Sequence, residues 1–276
     1  MAASPAAHVH VGSALLERTR PRDLWLLLDG AAVIGALYRG RGLAMAVDER
    51  RVDELPLIDA VAGAIRRLAS AQDVVYGPER LLRRAIEPSR LRGVSPLEIR
   101  RQALMSAWGP PSPAATGARA SRAFVLRPSS RSDLSWLLEA HGAMCREDLG
   151  VDQVSRNSDG YARYFAELIA AGRSFIGTVD GRPVFKAETP VESLQARLIE
   201  GVYTIPTARR QGYASAAMAE IGRSAGRDAK QACLYVHRRN AAALRLYRRL
   251  GYREICSWLT MLTSRQTVAR WPPAEY

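Results

Sequence analysis

VYTIPTARRQGYA, residues 202–214, passes from a strand-like run through Ile205-Pro206 into a pair of arginines and a glycine. Proline lacks the N–H that a ladder uses, and the strand is read as ending there. Beyond it Ala214, Ala217, Met218, Ile221 and Ala225 recur at helical spacing, so a helix opens directly after the glycine. Gly212 and the small Ala214 let main chain come close to a ligand. The first amides of a helix have no acceptor within it, and they converge on an anion with the positive end of the dipole behind them. A diphosphate is the natural occupant of such an entrance. An ordinary helix start also accommodates a glycine, so the flanking segments have to decide.

On the C-terminal side, residues 233–252 read CLYVHRRNAAALRLYRRLGY. A strand is expected over 232–237, a helix over 241–250 stopped by Gly251, and a last strand over 253–263. On the N-terminal side, strands over 174–179 and 183–189 flank Asp180-Gly181, a hairpin turn, and a longer strand covers 194–205. Helices are expected over 132–149 and 158–171, where Tyr161, Tyr164, Phe165, Leu168 and Ile169 share one face, and a strand over 124–127. The order is β-α-α-β-β-β-α-β-α-β. GPPSPAATGARAS, residues 109–121, interrupts the hydrophobic pattern with three prolines and two glycines and reads as a linker. Ahead of it, strands over 24–28, 32–38 and 42–47, a helix over 55–69, a strand over 73–76, a helix over 78–86 and a strand over 98–107 form an antiparallel meander followed by α/β alternation. The fold class is α+β, with an N-terminal domain over 1–108, a second domain over 122–263 and a tail over 264–276.

Composition narrows the function. With 276 residues, 47% hydrophobic and 24% charged, the chain can bury cores and is neither collagen-like nor disordered. No apolar run approaches the roughly 20 residues of a bilayer span, and no basic segment precedes an apolar one near the start, so a cytoplasmic protein with no membrane partner is expected. Cys145, Cys233 and Cys256 are widely spaced, and His8, His10, His141 and His237 form no ligand cluster, so neither a disulfide framework nor a metal site is expected. The net charge is +13, and of 40 basic residues only Lys186 and Lys230 are lysine. An arginine excess spread over the folded segments is either a solvated surface or a preference for a polyanionic ligand, a nucleotide or RNA.

Arg209-Arg210-Gln211-Gly212-Tyr213-Ala214 resembles the acyl-CoA signature of the Gcn5-related N-acetyltransferases (GNAT), which is arginine or glutamine, two residues, glycine, one residue, then glycine or alanine. That family's next motif is a strand, an asparagine, and a helix with a tyrosine shortly before a glycine-aromatic pair. Asn240, Tyr247 and Gly251-Tyr252 stand in that order. The resemblance spans residues 122–263. GPERLLRRAIEP, residues 77–88, resembles the poorly characterised domain that precedes the catalytic one in some two-domain members. The N-terminal domain lacks an arginine-glycine loop and is read as non-catalytic, and its strand and helix order is compatible with a degenerate GNAT-like copy.

The resemblance implies a C-terminal GNAT fold, a mixed and mostly antiparallel sheet flanked by helices, with acetyl-CoA as cosubstrate and no metal. It implies direct attack of a primary amine of a small molecule or peptide on the thioester. Val202, Tyr203 and Thr204 would meet the pantetheine arm, the amides from Arg209 to Ala214 the diphosphate, and Asn240 the cofactor arm. An amine with pKa near 10 must lose a proton and the thiolate must gain one. Tyr247 matches the family's proton donor, and Glu200 and Glu188 are both candidates for the acceptor. Arginines from Arg238 to Arg253 could meet the 3′-phosphate, and Glu147, Asp148 and Asp152 could draw in a cationic acceptor. Two other readings stay open: an enzyme of GNAT-like fold using aminoacyl-tRNA as donor or acceptor, and a CoA sensor without catalysis. A homodimer is compatible with all three.

Overall fold

The computed structural model describes residues 4–16, 23–40, 42–68, 74–108, 124–150, 152–228 and 230–264, the side chains of 49, 149 and 264 excepted. The expected linker, 109–121, and residues 265–276 of the expected tail lie outside them. Contacts divide the chain into two units, Met1–Met105 with Tyr235–Ala241 and Glu254–Tyr276, and Ser106–Leu234 with Ala242–Arg253. Each unit therefore draws on more than one stretch of the chain, because strands join by edge pairing rather than by order in sequence. No helix among the described residues is long and apolar enough to cross a membrane.

In the first unit, helix α1 (Val9–Leu16) precedes the meander β1 (Leu24–Asp29), β2 (Ala32–Arg39) and β3 (Leu43–Val47). Then come α2 (Leu55–Leu68), β4 (Val74–Pro78), α3 (Glu79–Ala85) and β5 (Ser95–Ala107, whose last two residues belong to the second unit). The meander pairs antiparallel, and β3 then pairs parallel with β4. The strand at the far end of the chain, β11 (Arg253–Ser264), lies antiparallel to β4, with Thr260 opposite Tyr76. Leu57, Ile58, Val61, Ala62 and Ile65 put one face of α2 into a core with Leu37, Val75, Leu81, Leu82 and Leu259. Helix α1 was not expected from the sequence. VHVGSALL holds two β-branched valines and a glycine, weak helix formers, and its buried Val9, Val11 and Ala14 fix it by packing on β2 and β3.

The second unit runs β6 (Phe124–Pro128), α4 (Leu134–Leu149), α5 (Gln153–Arg156), α6 (Ser158–Ala170), β7 (Ser174–Val179), β8 (Arg182–Glu192), β9 (Ala196–Thr204), α7 (Tyr213–Arg227), β10 (Gln231–His237, whose last three residues belong to the first unit) and α8 (Ala241–Arg249, whose first residue does too). Its strands lie in the order β10-β9-β8-β7-β6. All but β9–β10 are antiparallel pairs. The order expected for residues 122–263 is the order found, with the single-turn α5 added. Asp180 and Gly181, at φ +49° and +76°, make the tight hairpin between β7 and β8.

Asp133 shows how one side chain secures the entry to α4. Its carboxylate accepts from the Ser130 amide (2.8 Å), the Ser130 hydroxyl (2.9 Å) and both terminal nitrogens of Arg127 (2.7 and 2.9 Å). The Arg127 hydrogen bonds, against the cost of burial, hold its pKa well below the usual aspartate range. A depressed carboxylate pKa contributes stability that is present above the unfolded value near 4 and is lost as pH falls toward the folded one. Asp133→Ala should therefore cost about 2 kcal/mol in urea denaturation at pH 7, the sum expected for a lost cap and a charge-assisted pair. The difference from the parent should shrink below about pH 4.

Candidate functional site

The second unit builds its site from strand β9. The parallel pairing of β10 with β9 covers Gln231–Ala196, Ala232–Arg197 and Cys233–Leu198 only. Beyond Leu198 the β9 ladder continues on its other edge, against β8, as far as Thr204. Among the described residues, 199–204 therefore have no ladder to β10, and one edge of that segment is open to a strand-like ligand. On the β8 side the register shifts between Glu188–Glu200 and Lys186–Tyr203, so two residues of β9, Gly201 and Val202, face Ala187 alone. This is a β-bulge. Gly201 sits at its centre with φ +60°, and a Cβ there would overlap Glu188 Oε2.

From the end of β9 the chain makes one 3-10 turn, Pro206–Ala208, and reaches Arg210 at φ +63° and Gly212 at φ +88°. A non-glycine residue in the left-handed region costs about 1–2 kcal/mol, and such strain collects where main chain must be aimed. Alternation of ordinary and left-handed residues turns successive N–H groups into one concavity, a nest for an anion. Gly212 caps α7 with no side-chain hydrogen bond, and the first amide bonded within the helix is that of Ala216, to Gly212 O. Two side chains of the loop have partners within it. Gln211 donates to Thr207 O, and Tyr213, buried, stacks on Phe124 with ring centroids 5.1 Å apart and donates to Gln211 Oε1. The residues present thus fit a diphosphate gripped by main chain, followed by a linear arm along β9.

Helix α8 carries Tyr247 on its buried face with Leu244. Gly251, at φ +87°, ends the helix, its amide donating to Arg248 O while the Tyr252 amide donates to Tyr247 O. That crossed pair of bonds explains the glycine-aromatic dipeptide: glycine supplies the left-handed turn and the buried Tyr252 pins it. The two tyrosine rings lie 5.8 Å apart. Burial, and then the charge of Asp148, push the Tyr247 phenol well above its ordinary pKa, so it holds its proton throughout the physiological range. Asn240, exposed just ahead of α8, donates its amide to His237 O and falls in the first unit.

Residues 175–260 match the family described as FR47-like protein. Among solved structures, a GNAT-family protein from Novosphingobium aromaticivorans is similar over 96% of this chain and all of its own, at 17% identity and TM-score 0.59. A GCN5-related N-acetyltransferase from Kribbella flavida is similar over 95% of this chain and 96% of its own, at 19% identity and TM-score 0.54. A tandem GNAT protein from the clavulanic acid biosynthesis pathway covers 97% of this chain and 91% of its own, at 13% identity and TM-score 0.54. No curated protein matches the sequence. This is a two-domain protein of the GNAT fold.

On this GNAT fold the two candidate bases have different surroundings. Glu200 is half-buried, one residue before the bulge. Glu188 is almost wholly buried, and both of its oxygens accept from Lys186 Nζ, at 2.9 and 3.0 Å. Burial raises its pKa and the ammonium opposes the rise. The acidic residues between the first helices are also engaged. Glu147 accepts from Tyr203 Oη (2.8 Å) and pairs with Arg209 (2.6 Å), which also donates to Thr204 O. Burial, then Glu147, push the Tyr203 phenol up to about 12. Asp152 caps α5 at the Ser155 amide and pairs with Arg146. Of the arginines near α8, Arg238 pairs with Glu254, whereas Arg239, Arg245, Arg248, Arg249 and Arg253 are exposed. Among the described residues no cluster of three or more metal-ligating side chains occurs.

Two features of the site went unread in the sequence. An isolated glycine inside a strand pattern is a recognised sign of a bulge, and Gly201 carried it. Lys186 had only its rarity in an arginine-rich chain as a signal.

Proposed function

We propose that the chain is an acetyl-CoA-dependent N-acetyltransferase that acetylates a primary amine on a small molecule or peptide. The observation that carries this reading is the continuity of two features in one unit. The β9 edge left open beyond Leu198 leads straight into left-handed residues and uncapped amides at the start of α7. A linear arm with a diphosphate at one end fits that sequence of contacts, with Val202 and Tyr203 main chain along the arm and the amides from Arg209 to Ala214 around the phosphates. Bound there, acetyl-CoA supplies an activated acetyl thioester. Glu200 accepts the proton that the amine sheds as it attacks. Tyr247, kept protonated by burial, donates to the departing sulfur. Glu188, committed to Lys186, is left a supporting role.

Thermal shift tests the reading against its rivals. Acetyl-CoA at a hundredfold excess over its Kd should stabilise the protein by about 2.7 kcal/mol, and bulk tRNA should give no comparable shift. A shift with tRNA alone would favour the RNA-directed reading. Glu200→Gln should lower kcat by about 10²–10³-fold and remove the limb of the pH–rate profile that rises as the base loses its proton. An unchanged profile would assign the proton to another acceptor.

A further inference from the structure

Lys186 is fully buried in a chain that otherwise uses arginine for 38 of its 40 basic residues. Its ammonium has three N–H groups and three acceptors: Glu188 Oε1 (2.9 Å), Glu188 Oε2 (3.0 Å) and Gly201 O (2.9 Å). An arginine in the same place would bring five N–H groups to three acceptors, leaving donors buried and unpaired at about 1–3 kcal/mol each. The Phe165 ring lies 5.5 Å from Nζ and packs edge-on against His141, with ring centroids 5.3 Å apart. The His141 ring, its pKa lowered to about 3 by burial and then by Lys186, is neutral and adds no competing charge.

The third hydrogen bond reaches the bulge of β9. In a trans peptide the carbonyl and the following N–H point in opposite directions. Holding Gly201 O on Lys186 therefore sends Val202 N–H the other way. Gly201 tolerates this only as glycine, since its φ is +60° and Glu188 fills the space of a Cβ. We propose that Lys186, anchored by Glu188, is a positioning residue for the thioester arm: its bond to Gly201 O fixes the bulge and so sets how Val202 and Tyr203 main chain meets pantetheine. The inference rests on the acetyl-CoA reading above and adds to it the residues that shape the arm's binding edge.

The test compares acetyl-CoA with 3′-phospho-ADP, the nucleotide half of CoA, which has the phosphates and lacks the arm. Replacing the pair together as Lys186→Met with Glu188→Met removes both charges at similar volume, a change that is often neutral for stability. The double variant should bind acetyl-CoA at least tenfold more weakly than the parent and 3′-phospho-ADP within twofold, as read by calorimetry. Equal acetyl-CoA affinity in the folded double variant would overturn the proposal and leave the acetyl-CoA reading standing. A parent that binds no acetyl-CoA would overturn both. A second measurement needs no core variant: with only two lysines, ¹⁵N-lysine labelling gives two side-chain signals, and Lys230→Arg assigns them. The Lys186 ammonium signal should move on saturation with acetyl-CoA and stay in place with 3′-phospho-ADP. An unmoved signal at saturating acetyl-CoA would overturn the proposal.

Discussion

Gly212→Glu should reduce acetyl-CoA affinity by at least a hundredfold while leaving the fold intact. Gly212 holds φ +88° at the cap of α7, and any other residue there costs about 1–2 kcal/mol of backbone strain. That cost lowers stability modestly and does not unfold a domain whose core lies elsewhere. The carboxylate adds a second effect, since it places negative charge and bulk at the amides meant for a diphosphate, and two anions repel at close range in a partly desolvated mouth. Gly212→Ala separates the two effects, because it carries the strain without the charge. It should lose less affinity than the glutamate variant. Calorimetric titration with acetyl-CoA on both proteins, beside their melting curves, reads the result, and wild-type affinity in Gly212→Glu would place the phosphates elsewhere.

Tyr247→Phe should lower kcat by about 10²–10⁴-fold with the Kd for acetyl-CoA changed less than twofold. The ring sits on the buried face of α8 beside Tyr252, and phenylalanine preserves that packing. What is lost is one proton donor, which matters when the thiolate departs and not when the thioester binds. A residue needed only for the core would show the opposite pattern, a lower melting temperature with unchanged turnover per folded molecule. Acetyl-CoA consumption against a panel of primary amines, with the variant and parent at equal folded concentration, distinguishes these.

The conformation of the loop between β9 and α7 was legible because it is set locally. Strand, proline, arginines, Gly212 and the helical stripe from Ala214 follow one another within a few turns, and each residue's conformation follows from its neighbours. The pair at Gly251-Tyr252 was legible for the same reason, with physical cause in the crossed cap of α8. Glu188 was read as a candidate base, but its pairing with Lys186, and the reach of Lys186 to Gly201, were not legible. Alternation along β8 places both on one face, yet only the shifted register against β9 brings Gly201 O to Nζ, and register is a property of two strands. Glu147 and Asp152, read as bait for a cationic acceptor, have partners that sequence could not place: Tyr203 and Arg209 for the first, the α5 amide and Arg146 for the second. Helix α1 escaped notice because packing, not propensity, forms it. The pairing of β11 with β4 brings the last strand into the first unit, a non-local event without a local signature.

The grip of main-chain amides on the diphosphate is tested most directly by a crystal structure with CoA bound. Diphosphate oxygens should lie about 3 Å from amide nitrogens between Arg209 and Ala214, with the pantetheine arm running antiparallel or parallel along Val202 and Tyr203. A diphosphate held by side chains at another place, with the α7 entrance occupied by Gln211 or Tyr213, would contradict it.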